Sequence, residues 1–320
     1  MSKIFLHLGA HKTATSFLQA NVTANAAAFE KQGWRVIDFQ KEFDKLRKYT
    51  GKIRGNRPLD EAGEKRLGRF FKEVRNDSRD VFLSYEGFLG SMNMARGKIY
   101  PNHQRPIKML KKRFANRNVQ IGFCVRNFAD QVESSYNFRF ATGHKEPFAE
   151  YSKNIEPANL SWVAIIQNLS KAFGAENLVL WTYEDFKKDG AAALPKIVQS
   201  AGIDATDLKV VFPKPRNVSL SIGQLKLLQD WHEALQQRLT VSPNEVKMVN
   251  YRLRKLLKIL PRESDTKGLL EPEKRNAFTE HYEREVALIR ERWGKQMLNF
   301  EQASLPEMPS TPQEPTSEIA

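Results

Sequence analysis

Lys3-Ile4-Phe5-Leu6-His7-Leu8-Gly9-Ala10-His11-Lys12-Thr13-Ala14-Thr15-Ser16-Phe17-Leu18-Gln19 reads as a short apolar strand, a tight loop and the start of a helix. The loop carries one lysine and three hydroxyl side chains. A strand that feeds a helix N-terminus through such a loop makes an anion site. The first helical N–H groups lack intrahelical partners, the helix dipole favours negative charge there, and Lys12 adds a formal positive charge. The ligand class selected by this chemistry is phosphate or a chemical relative of phosphate.

Further strands are read at 33–39, at 80–84 (running into Tyr85-Glu86-Gly87), at 118–125 and at 177–182. Helical patterns fall between and after them at 13–31, 62–76, 107–115, 127–140, 160–173 and 191–201. This alternation predicts an α/β fold, a three-layer sandwich around a central, mainly parallel sheet. The strands are near-continuous apolar runs, as a sheet covered on both faces requires. Ligands of such sheets collect at the C-terminal strand ends, which puts the loops after Leu8, Ser84 and Val125 on one rim. From Ser219 onward the chain reads as helical. Ile222, Leu225, Leu228, Trp231, Leu235 and Leu239 share one face, as do Phe278, Tyr282, Val286, Ile289 and Trp293. Pro272 suits a first helical turn. The expected organisation is a single domain over 1–302, with 219–302 as its C-terminal helical part. A disordered Pro-rich tail over 303–320 follows, its alternative reading being a polyproline docking segment.

The composition is 41% hydrophobic with 20 Phe and 5 Trp, enough apolar surface for a sizeable core. Mean hydropathy is −0.55, and no apolar run is long enough to span a bilayer. Gly9, His11 and Lys12 interrupt the first apolar stretch, which argues against a signal peptide. Cys124 is the only cysteine, so intrachain disulfides and thiolate metal clusters are excluded. Its place in the apolar run 119–125 reads as a buried structural thiol. These features fit a soluble, cytoplasmic protein. The net charge of +14 points to anionic partners. It is concentrated in Lys45–Arg57, Arg105–Arg117 and Lys247–Lys258. A solvated basic surface, an anionic acceptor, a polyphosphorylated cofactor, a membrane surface and nucleic acid all remain open as its meaning.

The nucleoside-triphosphate loop G-x-x-x-x-G-K-[ST] is not supplied: His11 precedes Lys12, and only two residues separate Gly9 from Lys12. No clear strand ends in a metal-binding Asp. The loop therefore suits a terminal phosphate or phosphosulfate without magnesium, with Thr13, Thr15 and Ser16 placed to meet oxyanions. His7 and His11 lie four apart, but that spacing converges only on a helix, and Gly9 lies in a strand and loop here. No metal site is expected.

His7 to Gln19 resembles the 5′-phosphosulfate loop of sulfotransferases, especially soluble bacterial ones, whose pattern runs H-x-G-x-x-K-T-G-T-T/S. Ala14 departs from it, standing where the family usually has Gly, and its methyl tightens the loop. A second motif supports the resemblance. The family reads the 3′-phosphate with an Arg at the end of a buried strand and a Ser eight residues later. Here these are Arg126 and Ser134, and a guanidinium gives planar, multidentate phosphate recognition. Asn177 to Leu194 resembles the family's following strand and acidic turn. Pro215 to Ser221 resembles its N-x-S-L stretch, with a helix cap at Ser219 or Ser221 as the competing reading.

The resemblance implies a P-loop-like fold and 3′-phosphoadenosine 5′-phosphosulfate as co-substrate. It implies in-line sulfuryl transfer to a hydroxyl or amine; by charge matching alone, the basic run Lys45–Arg57 points to a carbohydrate or a lipid headgroup as the acceptor. Gly9, Lys12, Thr13, Ala14, Thr15, Ser16, Arg126 and Ser134 would bind the donor, and Lys12 would neutralise the leaving oxygen. For the general base, Glu86 on the active rim is the first candidate, its competing reading being an exposed turn carboxylate. His11 is second, against a loop-packing imidazole, and Asp38 third. His7 reads as a core histidine. Competing functions are a P-loop-like nucleotide or small-molecule kinase, which should need magnesium, and a basic nucleic-acid-binding protein, whose binding should fall steeply with salt. A degenerate donor-binding protein is a fourth reading, hinted at by Ala14.

Overall fold

A computed structural model describes residues 2–39, 60–90, 97–141, 146–212, 220–238 and 268–300, with shorter stretches between them. The Pro-rich tail at 303–320, the stretch 213–219, Leu239 and most of the basic runs 45–57 and 247–258 lie outside the described residues. Five strands, β1 (Lys3–His7), β2 (Trp34–Val36), β3 (Asp80–Ser84), β4 (Asn118–Val125) and β5 (Leu178–Thr182), form one sheet in the order β2-β3-β1-β4-β5. Every pairing is parallel, so the sheet expected to be mainly parallel is wholly so among the described strands. Leu6 lies opposite Leu83 and Ile121, and His7 opposite Ser84 and Gly122.

Helices α1 (Thr15–Ala24) and α2 (Ala26–Lys31) follow β1, α3 (Glu61–Asn76) follows β2, and α4 (Gln104–Arg113) follows β3. Between β4 and β5 lie α5 (Phe128–Ala141), α6 (Phe148–Ser152) and α7 (Trp162–Phe173). After β5 come α8 (Tyr183–Lys188), α9 (Gly190–Ser200), α10 (Ile222–Arg238) and α11 (Pro272–Trp293). Strand alternation sorts the side chains into two cores. Ile4, Leu6, Val81, Leu83, Ile121 and Phe123 pack with α3, α4, α5, α7 and α11. Phe5, Phe82, Cys124, Val179 and Trp181 pack with α1, α2 and α9. Gly122 makes room in the second layer: a Cβ there would lie 2.8 Å from the Phe5 ring.

Three details depart from the sequence reading. The helix read over 13–31 breaks at Asn25, whose side chain turns to the main chain of Asn21 and Lys209. Trp231 was read on the core face of α10 but is 49% exposed, while Leu225 and Leu228 fill that core. Arg117, from the second basic run, is structural: its guanidinium donates to the main-chain carbonyls of Ser2, Lys3, Val74, Arg75, Asp77 and Arg79. Arg113 and Lys111 lie over the rings of Phe71 and Phe173. No described helix is long and apolar enough to cross a membrane.

Candidate active site

The chain leaves β1 still paired with β4. Leu8 N–H donates to Gly122 (2.9 Å), Ala10 N–H to Cys124 (3.0 Å), and Cys124 N–H to Gly9 (2.6 Å). The turn into α1 then uses the left-handed region at Gly9 (φ 96), Lys12 (φ 67) and Ala14 (φ 59). Thr13 and Thr15 are buried, and both hydroxyls point back to the Ala10 carbonyl, at 2.7 and 3.4 Å. Ala14 occupies the N-cap of α1 and offers no side-chain cap, and the first turn holds no acidic residue. The leading N–H groups of α1 thus have no side-chain acceptor at the cap. Ser16 is exposed beside them, and Lys12 is half-buried.

Arg126 follows β4 and joins this loop. Its Nη1 donates to the Lys12 carbonyl at 2.6 Å. Its guanidinium lies 4.7 Å from the ring centre of Tyr183, and its Nε is buried without a partner among the described residues. On α5, Gln131 Nε2 donates to the His11 carbonyl (3.0 Å), so side chains from β4 and α5 hold successive loop carbonyls. Ser134 is the next turn of α5 and is buried. One turn further, Phe138 is half-exposed with the Lys12 ammonium 5.4 Å from its ring centre. The acidic turn after β5 orients α5: Glu184 accepts from Asn127 N–H (2.9 Å) and from the Tyr282 hydroxyl.

On the opposite side of the loop, Glu86 opens a 3-10 turn, Glu86–Leu89, directly after β3. Gly9 permits this approach, since a Cβ on it would lie 3.0 Å from Glu86 Cβ. Glu86 is half-buried rather than an exposed turn carboxylate. Beside it stands a residue the sequence reading missed. Tyr100 is buried, with φ 44, and its hydroxyl accepts His11 N–H at 2.8 Å and lies 2.6 Å from His11 Nδ1. Burial, and then the charge of Glu86, push its hydroxyl pKa upward. Nothing in the irregular segment around Tyr100 signals this contact, which joins residues 89 apart.

His7 is the core histidine expected. It is buried, stacks on Trp181 with ring centres 5.5 Å apart, and meets Ser84 Oγ through Nδ1 at 2.8 Å. Burial lowers its pKa from 6.5 to about 3. Cys124 is fully buried, and burial raises its thiol pKa. Asp38 lies beyond β2, where its carboxylate accepts from Lys41 N–H (3.4 Å) and pairs with Lys41 Nζ (3.8 Å). Among the described residues, no three His, Cys, Asp or Glu side chains are grouped to hold a metal. Gly9, His11, Lys12, Thr13, Ala14, Thr15, Glu86 and Arg126 thus meet at one rim of the sheet, with Ser134 on the adjoining helix.

The chain is 26% identical over 144 residues to 3-alpha-hydroxysteroid sulfotransferase from Cavia porcellus, an alignment covering 42% of this chain and 49% of that protein. It thus spans about half the length of this curated relative. The crystal structure of sulfotransferase from Alicyclobacillus acidocaldarius is similar with a TM-score of 0.42 and 15% identity, covering 79% of this chain and 95% of that one. The sulfotransferase domain model matches residues 4–218, a span that holds all five strands, the Lys12 loop, Glu86, Arg126 and Ser134, and the chain belongs to that family.

Proposed function

We propose that this protein transfers a sulfuryl group from 3′-phosphoadenosine 5′-phosphosulfate to a hydroxyl of an acceptor. The observation that carries the reading is the bond from Arg126 to the Lys12 carbonyl, which ties the guanidinium at the end of β4 to the lysine-bearing loop that leads into the uncapped N-terminus of α1. A ligand with two separated anionic groups suits that pairing, and the buried, unpartnered Arg126 Nε suits an anion. Lys12 and the leading N–H groups of α1 would hold the phosphosulfate. Since Thr13 and Thr15 donate to Ala10, the main chain and the exposed Ser16 hydroxyl supply the remaining donors. Arg126 and Ser134 would hold the 3′-phosphate.

The bound nucleotide supplies an activated sulfuryl group, and the protein's work is positioning and charge stabilisation. The acceptor oxygen bonds to sulfur as the bond from sulfur to the bridging oxygen breaks. The acceptor's proton passes to the Glu86 carboxylate, and adenosine 3′,5′-bisphosphate leaves with its new charge facing Lys12. A hydroxyl acceptor agrees with the steroid hydroxyl named for the guinea-pig relative. The exposed Arg105, Lys108, Lys111 and Lys112 of the α4 region fit an anionic carbohydrate or lipid headgroup by charge. Adenosine 3′,5′-bisphosphate without metal should raise the melting temperature, and ATP with magnesium should not. By calorimetry, Lys12→Ala and Arg126→Ala should each weaken bisphosphate binding by about 10- to 100-fold, the worth of a charged hydrogen bond. Unchanged affinity in both folded variants, or selective stabilisation by ATP with magnesium, would overturn the reading.

A further inference from the structure

We infer that Tyr100 holds the neutral His11 imidazole as its Nε2–H tautomer, which makes His11 a hydrogen-bond donor beside Lys12 and leaves Glu86 to take the acceptor's proton. The assignment of chemical roles rests on the sulfuryl-transfer reading; the tautomer does not. A phenol has one O–H donor and two acceptor lone pairs. One lone pair of Tyr100 is occupied by His11 N–H, at 2.8 Å. The phenol proton is buried, and leaving it without an acceptor costs about 1–3 kcal/mol. The acceptor at hand is His11 Nδ1, at 2.6 Å. A nitrogen that accepts a hydrogen bond carries no proton, so in the neutral ring the proton resides on Nε2. Burial, joined by the nearby Glu86 charge, outweighs the His11 N–H bond that favours the phenolate, which keeps the phenol a donor.

Tyr100 thereby grips the main chain and the side chain of the residue preceding Lys12 at once. It does so with φ 44, a backbone region that strains a bulky residue by about 1–3 kcal/mol and persists only where its surroundings determine it. A base must present a lone pair, and His11 presents hydrogen at Nε2. Among the described residues, the charged groups near it include Lys12 next in sequence, Arg126 through the Lys12 carbonyl, and Glu86 against Gly9. Of these, Glu86 is the group able to accept a proton. Tyr100 is a positioning residue: it acts on the reaction through the ring it orients.

The test is the long-range proton–nitrogen spectrum of the full-length protein with nitrogen-15 histidine, recorded with neutral imidazole and no nucleotide. His11 should show an unprotonated Nδ1 and a protonated Nε2, and Tyr100→Phe should lose that preference; a protonated Nδ1 in the wild type overturns the inference. Turnover of labelled donor supplies the second readout. His11→Leu should lower kcat by about 10²–10³-fold, the worth of one donor to developing charge, and His11→Gln, which keeps an N–H, should recover most of it. Glu86→Gln should lower kcat by about 10²–10⁴-fold at unchanged bisphosphate affinity. Equal losses in His11→Gln and His11→Leu overturn the donor role. Wild-type protein that binds no adenosine bisphosphate overturns the sulfuryl-transfer reading instead, while the nitrogen spectrum still decides the tautomer.

Discussion

Ala14 enters α1 at φ 59 and ψ 24, where a Cβ costs an L-residue about 1–2 kcal/mol. The conformation explains why glycine suits this position in the pattern the loop resembles. The alanine keeps the turn and packs its methyl against the core under α1. Ala14→Gly should stabilise the protein by about 0.5–1 kcal/mol, the relief of backbone strain less the entropy a glycine adds to the unfolded chain. Urea unfolding measures it, and a destabilised variant would show that the methyl's packing outweighs the strain. At this scale the sequence was legible where chemistry and order coincide. Lys12, Thr13 and Thr15 sit in one loop, and Arg126 ends an apolar run. Tyr100 was not legible, because its role comes from folding an irregular segment onto His11, and neither periodicity nor a motif encodes that meeting.

Between elements, the same contrast recurs. Strands β1, β3, β4 and β5 are largely apolar runs, while the edge strand β2 is short and carries Arg35 at its centre; all five were readable to within a few residues. The helix caps Asp60 and Ser161 are local, accepting from Gly63 N–H (2.7 Å) and Ala164 N–H (3.0 Å). The second anchor of α7 is not local: Glu285 of α11 accepts from Ser161 Oγ and Val163 N–H, at 2.7 and 2.8 Å. Nor was the clasp formed by α1 and its neighbours. Asn21 and Asn25 each exchange two hydrogen bonds with the main chain of Val211 and Lys209, and Gln32 does so with Asp204. Three amides thus serve the segment 204–211 as a neighbouring strand would, and no local pattern in the sequence ties them to a segment more than 170 residues away. Asn21→Ala would remove both of these bonds from the main chain of half-buried Val211, at about 0.5–1.5 kcal/mol each. Amide exchange at Lys209 and Val211 should then accelerate by about 10- to 100-fold, while the amides of β1 and β4 keep their protection. Uniform acceleration through the sheet would show instead that the clasp belongs to the global fold.

For the molecule as a whole, the central strand carries a source of acid sensitivity. His7 sits on β1 between β3 and β4, fully buried, its pKa lowered from 6.5 to about 3. Below about pH 6.5 the unfolded chain binds a proton at this ring that the folded protein refuses, until the pH approaches about 3. Stability therefore falls with falling pH across that window, by up to about 1.4 kcal/mol per pH unit for one proton. His144, held below its ordinary value by burial and Arg139, adds in the same sense. Asp77, whose carboxylate Arg79 and Arg35 hold well below the usual range, loses its contribution only at more acid pH. His7→Asn keeps a polar atom toward Ser84 Oγ but removes the titrating ring. The variant should be less stable at neutral pH, because a stacked ring is lost from the core beside Trp181. Its unfolding free energy, from urea titrations at a series of pH values, should nonetheless decline less steeply than the wild type's between about pH 6 and pH 4, by close to one proton's slope. Parallel curves would place the acid sensitivity elsewhere. Because the loop with Lys12 is the continuation of β1, the affinity proposed for adenosine 3′,5′-bisphosphate should disappear over the same acid range in which the sheet is lost, and the His7→Asn substitution should shift both transitions together.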